Sequence, residues 1–209
     1  MTEQRPPRAH FIVFEGGEAS GKSTQARLLA DRLGAVLTRE PGGTRLGETV
    51  RSLLLDPADT AMCDRAEALL FAADRAQHVH EVIAPALAAG RPVVSDRFAP
   101  SSFAYQSFGR GLPLAEVEAL SAFAVDGVWP DLILLLDVPA EVAEARLGHL
   151  DRMEGVGAEF HRLVAEGFET MAAADPDRWA RVDGRGTVAE VAERVRRTVD
   201  DRIGLEERP

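Results

Sequence analysis

Short runs of consecutive apolar residues alternate along this chain with longer stretches in which apolar positions recur every three or four residues. The runs suit strands covered on both sides and the stretches suit helices with one buried face, so the alternation predicts strand-helix-strand units around a parallel sheet. Strands are expected at 11–15 (FIVFE), 35–38 (AVLT), 92–96 (PVVSD), 131–137 (DLILLLD) and 178–183 (RWARVD). Helices are expected at 22–33, 45–55, 64–89, 100–108, 113–125, 139–147, 158–173 and 187–203. The last carries Val188, Val191, Val195 and Val199 on one face, with Thr187 and Glu190 spaced as a capping box. In the 64–89 helix the stripe Ala66, Leu69, Leu70 and Ala73 is expected to pack inward. Residues 1–8 and 204–209 read as loose ends, and the Gly-punctuated stretch 148–157 as a mobile surface loop.

A chain of 209 residues that is 45% apolar can bury one core, so a single domain over 1–209 is expected. A net charge of -10, from 24 Lys+Arg against 34 Asp+Glu, repels nucleic-acid backbones; no nucleic-acid partner is expected, and an anionic ligand must be captured locally. The lone Cys63 cannot form an internal disulfide, and uniform apolar runs such as LILLL are far short of the roughly 20 residues of a membrane span. The N-terminal MTEQRPPR and the four apolar positions after it do not build a signal-peptide core, so a cytoplasmic location with no membrane partner is expected. One detail changes the picture. The 24 basic residues are 23 Arg and one Lys, Lys22, and an ammonium kept where every other cation is Arg points to a tight site that a forked guanidinium does not fit.

Lys22 falls inside GGEASGKS, Gly16 to Ser23, which fits G-x-x-x-x-G-K-[ST] directly after an apolar strand and at the start of a helix. In that context the backbone amides of Gly16, Gly17, Glu18, Ala19, Ser20, Gly21, Lys22, Ser23 and Thr24 form a polyphosphate cradle, the expected seat of ATP. Lys22 is expected to reach the β- and γ-phosphates and Ser23 to place its hydroxyl on Mg²⁺. A carboxylate at a neighbouring strand end must complete the metal site. Asp96 and Asp137 both qualify, and Asp96 is favoured because Arg97 follows it and suits a second phosphate group, whereas Asp137 leads through Val138 and Pro139 into a helix.

The run Thr38-Arg39-Glu40-Pro41-Gly42-Gly43-Thr44, then Arg51 to Leu55, Phe71 with Arg75, Asp96-Arg97-Phe98, and Ser102 to Gln106 resembles the thymidylate kinases of bacteria in order and spacing, over about residues 10–202. The resemblance implies an α/β P-loop kinase fold with a five-stranded parallel sheet, helices on both faces and a mobile lid at about 146–157. It also implies a homodimer and Mg²⁺-dependent transfer from ATP to dTMP, giving ADP and dTDP for dTTP biosynthesis. By the same resemblance Phe71 stacks on thymine, Arg75 donates to its O4 and Ser102 meets its N3 edge. Arg39 and Arg97, with Arg51 as a third candidate, clamp the acceptor phosphate; Tyr105 lies against the sugar 2' position, Glu18 bonds the 3'-hydroxyl, and Pro41 and Gln106 are neighbouring contacts.

Charge spreading over the γ-oxygens calls for a cation, and the cradle itself carries no Arg. The lid is the expected source, with Arg152 in LDRME preferred, Arg146 the alternative and Arg162 an outsider. The nearest rival function is a UMP, CMP or dUMP kinase, which shares the cradle but not the Phe71/Arg75 and Ser102 to Gln106 set. A guanine-reading switch needs Asn-Lys-x-Asp, and this chain has no Asn and no second Lys. A non-catalytic adaptor is disfavoured by the retention of Lys22, Ser23 and Asp96.

Overall fold

The computed structural model describes residues 9–58, 61–139, 142 and 151–204. Five strands, β1 (Phe11–Glu15), β2 (Val36–Arg39), β3 (Val93–Asp96), β4 (Leu132–Asp137) and β5 (Trp179–Asp183), form one sheet in the order β2-β3-β1-β4-β5. All four pairings are parallel. The five apolar segments are therefore the five strands, with boundaries shifted by a residue: β3 starts after Pro92, which has no N–H to give the ladder, and β2 extends to Arg39. Alternate side chains of β1 serve opposite faces. Ile12 and Phe14 join Leu29, Ala30, Leu134, Val195 and Val199 on one side, while Phe11 and Val13 join Ile83, Val93 and Phe98 on the other.

The helices are α1 (Lys22–Leu33), α2 (Arg45–Leu55), α3 (Asp64–His78), α4 (Ala84–Ala88), α5 (Ala99–Ser102), α6 (Leu114–Val125), α7 (Ala158–Ala174) and α8 (Val188–Ile203). The Thr187/Glu190 capping box is present at the start of α8. Two expected helices are interrupted. The 64–89 segment breaks between α3 and α4 into a π-helical turn, Val79–Ile83, because Pro85 cannot donate to the carbonyl four residues back and the ladder widens, Ala84 N–H bonding Val79 O. The 100–108 segment is a single turn, α5, that continues as the π-helical stretch Phe103–Gly109. The expected 139–147 helix lies outside the described residues apart from Pro139 and Val142.

The inward stripe on α3 is a correction. Leu69 is 57% exposed and Ala73 is exposed, whereas Glu67, Ala68, Ala72, Asp74, Arg75 and His78 are buried. Helical periodicity placed the apolar face inside; the true inner face carries a polar network. The expected mobile loop 148–157 is corrected over its described part, 151–157: Met153 is 4% exposed and packs with Tyr105, Phe160 and Phe168, and Glu154–Val156 forms a 3-10 turn. Among the described residues no helix is long and apolar enough to cross a membrane.

Candidate active site

β1 ends at the centre of the sheet and the chain then turns through Gly16 into α1. Gly16 has φ +139°, and a Cβ there would stand 2.7 Å from the Leu136 carbonyl oxygen, so only glycine lets the turn pass over β4. Gly21, at φ +95°, precedes α1 and caps it with no side chain, which leaves the first amides of that helix directed at the open space above. Lys22 bends back, its Nζ donating to Gly17 O at 2.6 Å and to Ser20 Oγ at 3.2 Å. Burial and then the nearby Arg97 bring its ammonium down to about 8. Ser23 Oγ donates to Asp96 Oδ2 from the end of β3, while Asp96 Oδ1 is buried with no partner.

A cavity of about 410 Å³ runs from this cradle towards β2, α3 and the π-helical stretch. Glu18, Ala19, Ser20, Gly21, Lys22, Ser23, Thr24, Asp96 and Arg97 line one part; Arg39, Pro41, Arg51, Phe71, Ser102, Tyr105 and Gln106 line the other. Gly16 and Gly17 stand behind the lining. The two sets named from sequence thus share one space.

Arg97 sits at their junction with a left-handed backbone, φ +72°, which costs a non-glycine residue about 1–3 kcal/mol. Its guanidinium spans Gly16 O (3.1 Å), Ser101 Oγ (3.1 Å), Glu18 Oε1 (2.6 Å) and Tyr105 Oη (2.9 Å). Tyr105 Oη also donates to Glu18 Oε1 at 2.6 Å. Burial opposes the Glu18 charge, yet Arg97 and Lys22 outweigh it and hold that carboxyl at about 2. Glu15, absent from the sequence expectations, is what pins the strained turn. Its Oε1 accepts the amides of Phe98 (3.0 Å) and Ser101 (3.2 Å), and its Oε2 accepts the Ser101 hydroxyl (2.6 Å). Burial pushes this carboxyl up to about 7 against the pull of Arg97.

Beneath the acceptor-side half lies a buried polar chain. Arg75 gives Nε to Glu40 Oε2 (2.9 Å) and Nη2 to Ser102 Oγ (3.0 Å), and its guanidinium lies 5.5 Å from the Phe98 ring centre. Glu40 Oε1 pairs with His78 Nδ1 at 2.9 Å, and His78 Nε2 meets Thr38 Oγ1 at 2.5 Å. Asp74 Oδ1 accepts the Gly42 amide at 3.0 Å, its Oδ2 is buried without a partner, and burial followed by the Glu40 charge pushes it up to about 7. Gly43, at φ +80°, belongs to the same packing, since a Cβ would come within 2.9 Å of His78 Nε2. Arg75 therefore stands behind Ser102 and does not line the cavity.

The arginines named for the acceptor phosphate divide. Arg39 is half exposed and paired with Glu48 at 2.9 Å, and Arg51 donates Nη1 to Pro41 O at 2.9 Å; both line the cavity. Of those named for the lid, the two that the structure describes, Arg152 and Arg162, do not line the cavity. Arg146 lies outside the described residues. Arg152 turns away from the cavity, its Nε on Leu54 O (2.7 Å) and its Nη1 on Glu67 Oε2 (2.8 Å), and Arg162 is exposed between Glu159 and Glu166. Sequence reasoning missed the lining residues Glu40, Leu55, Ser101, Asp151, Met153 and Glu154. Of these, Glu40, Leu55, Asp151, Met153 and Glu154 stood inside runs already singled out, Thr38 to Thr44, Arg51 to Leu55 and LDRME, and Ser101 did not.

Residues 14–195 match the family model described as thymidylate kinase. A thymidylate kinase of Synechococcus sp. (strain JA-2-3B'a(2-13)) is 50% identical over 202 residues, spanning 93% of this chain and 96% of its own. One from Cutibacterium acnes is 43% identical over 194 residues, spanning 90% and 95%. The crystal structure of thymidylate kinase from Ehrlichia chaffeensis superposes with a TM-score of 0.78 at 32% identity, covering 92% of this chain and 100% of that one.

Proposed function

Because the chain belongs to the thymidylate kinase family and is a dTMP kinase using ATP, we propose the following division of labour among its residues. The observation that supports it is the one cavity walled jointly by the cradle and by the Arg39, Phe71, Arg97, Ser102, Tyr105 and Gln106 set. The ATP phosphates rest on the amides from Glu18 to Thr24 with Lys22 on the transferred end, and dTMP enters from the opposite side, its base on Phe71 and its phosphate towards Arg97, Arg39 and Arg51. Two phosphate groups then face each other across Arg97, and a phosphate oxygen of dTMP attacks the γ-phosphorus in line. The acceptor needs no general base, since its attacking oxygen is already anionic.

Lys22 and Arg97 are the cations placed to meet the charge that spreads over the γ-oxygens. Arg75 acts from behind Ser102, which it holds by a hydrogen bond at 3.0 Å, and so orients that hydroxyl towards the base edge. Glu18 and Tyr105 form the floor under the deoxyribose. The site also suits Mg²⁺. A hydroxyl and a carboxylate oxygen already meet, and the second oxygen of Asp96 is buried and unpartnered, which is the donor set of a hard cation that draws its remaining ligands from phosphate and water. Ser23 and Asp96 would hold it, and when bound it supplies neutralisation of the β- and γ-phosphate charge.

Exposed Leu46 and Leu53 on α2, Leu69 on α3 and Phe123 on α6, the last 84% exposed, lie on three helices that pack side by side. This face supports a homodimer built on α2, α3 and α6. The test of the whole reading is an acceptor panel with ATP and Mg²⁺. dTMP should outrun dUMP, UMP and CMP in kcat/KM by at least about tenfold, and equal rates across the panel would refute the base assignments.

A further inference from the structure

The division of labour above leaves one buried carboxylate unused. Glu67, on α3, is 1% exposed and does not line the cavity, yet donors from three side chains close on it. Oε1 accepts Gln106 Nε2 at 2.9 Å and Arg110 Nε at 3.2 Å, and Oε2 accepts Arg110 Nη2 at 3.0 Å and Arg152 Nη1 at 2.8 Å. Burial opposes its charge, but the bonds from Arg110, Gln106 and Arg152 outweigh burial and hold the carboxyl below the ordinary Glu range. Here a single carboxylate gathers two guanidiniums, and the donors come from two segments that border the cavity, Gln106 and Arg110 from the π-helical stretch and its end, and Arg152 from the 151–154 segment.

Gln106 lines the acceptor side. Arg110 closes the π-helical stretch and lies 4.7 Å over the Phe160 ring. Arg152 belongs to the segment whose Asp151, Met153 and Glu154 form the wall over the cavity, and its backbone amide and Nε are tied to Leu55 O (3.3 Å) and Leu54 O (2.7 Å) at the end of α2. Without Glu67, both arginines and the Gln106 amide would lose their common acceptor, and the 151–154 wall would keep its carbonyl ties and the packing of Met153 but no ion pair to α3.

We propose that Glu67 is a positioning residue for the transfer, pinning the Asp151–Glu154 wall through Arg152 and the acceptor side through Gln106 so that dTMP, and not water, meets the γ-phosphate. This rests on the cavity being the place of transfer. When the wall is unpinned, water replaces the phosphate oxygen of dTMP as attacking group: its oxygen bonds to the γ-phosphorus, the bond to the β-bridging oxygen breaks, and ATP and water give ADP and inorganic phosphate. Loss of the pin therefore shows as a changed partition between dTDP and free phosphate.

The experiment measures dTDP and inorganic phosphate released from ATP, Mg²⁺ and dTMP by the full chain, its Glu67→Gln variant and its Arg152→Met variant. Both variants should make dTDP about tenfold more slowly and raise the phosphate-to-dTDP ratio by about tenfold, and the double variant should be no worse than the poorer single one. Arg152→Met leaves the Glu67–Arg110 pair intact and decides the matter if Glu67→Gln folds poorly. Proportional loss of both products in Arg152→Met would give Arg152 a direct role on the reacting phosphate and overturn the proposal. Faster transfer by Glu67→Gln, or an unchanged ratio in Arg152→Met, would overturn it too. A wild-type chain that made no dTDP would instead count against transfer in this cavity.

Discussion

Asp74→Asn isolates the strongest electrostatic conflict under the acceptor side. Asp74 is fully buried, bonds only through Oδ1 to the Gly42 amide, and shares its surroundings with the Glu40 carboxylate, the His78 imidazole and the Arg75 guanidinium. Its carboxyl is pushed from 3.8 to about 7. A carboxyl raised on folding stabilises the native state through its bound proton; that contribution is complete below pH 3.8 and disappears as pH rises through about 7. A shift of about three pK units at 1.36 kcal/mol each amounts to about 4 kcal/mol lost between pH 4 and 8, a sizeable part of the 5–15 kcal/mol typical of a domain. Asparagine keeps the acceptor for Gly42 and replaces the unpartnered oxygen with an uncharged amide. The variant should therefore gain stability relative to wild type as pH climbs from 5 to 8, by about 2–4 kcal/mol at the upper end. Urea unfolding at five pH values measures this. Glu15, also raised to about 7, gives a limb common to both proteins and cancels in the difference. Parallel stability curves for the two proteins would refute the reasoning.

Phe71→Ala should weaken dTMP binding about tenfold, from the 1–3 kcal/mol that an aromatic face gives a stacked base, with ATP binding unchanged; calorimetric titration reads both constants, and an unaltered dTMP constant moves the base elsewhere. Lys22→Arg retains charge but not the compact ammonium that reaches Gly17 O, so kcat should fall about a hundredfold with little change in melting temperature, and a rate near wild type would remove Lys22 from the transfer. Leu69→Glu, placed on the exposed side of α3, should yield a monomer by light scattering; an unchanged oligomer would exclude that face.

The strands were legible because β1 and β4 are continuous apolar runs with both faces covered, and such runs have few other uses in a chain of this length. The cradle was legible because its function depends on backbone, and backbone demands glycine at fixed spacing. The inner face of α3 was not. Its Glu67, Asp74, Arg75 and His78 are bound by Gln106, Arg110, Arg152, Gly42, Glu40, Ser102 and Thr38, partners 27 to 85 residues away in sequence that local periodicity cannot register. Glu15 escaped for the same reason: it follows four apolar residues and looks like a strand end until the turn around Ser101 folds onto it. Arg152 carried the right motif, but which way a guanidinium points depends on Glu67, which no spacing rule connects to it.

Strand order places the cradle's own strand between β3 and β4, so connections leave it in opposite directions. Arg39, Pro41 and Arg97, proposed to meet the acceptor, hang from the β3–β2 flank, Glu18 reaches the same space from the cradle, and the cradle leans on the β4 side, where Gly16 passes close to the Leu136 carbonyl. An engineer seeking a kinase for unnatural pyrimidine analogues can thus centre a library on one flank and hold fixed what both halves of the cavity share, Glu18 and the turn from Asp96 to Ser101.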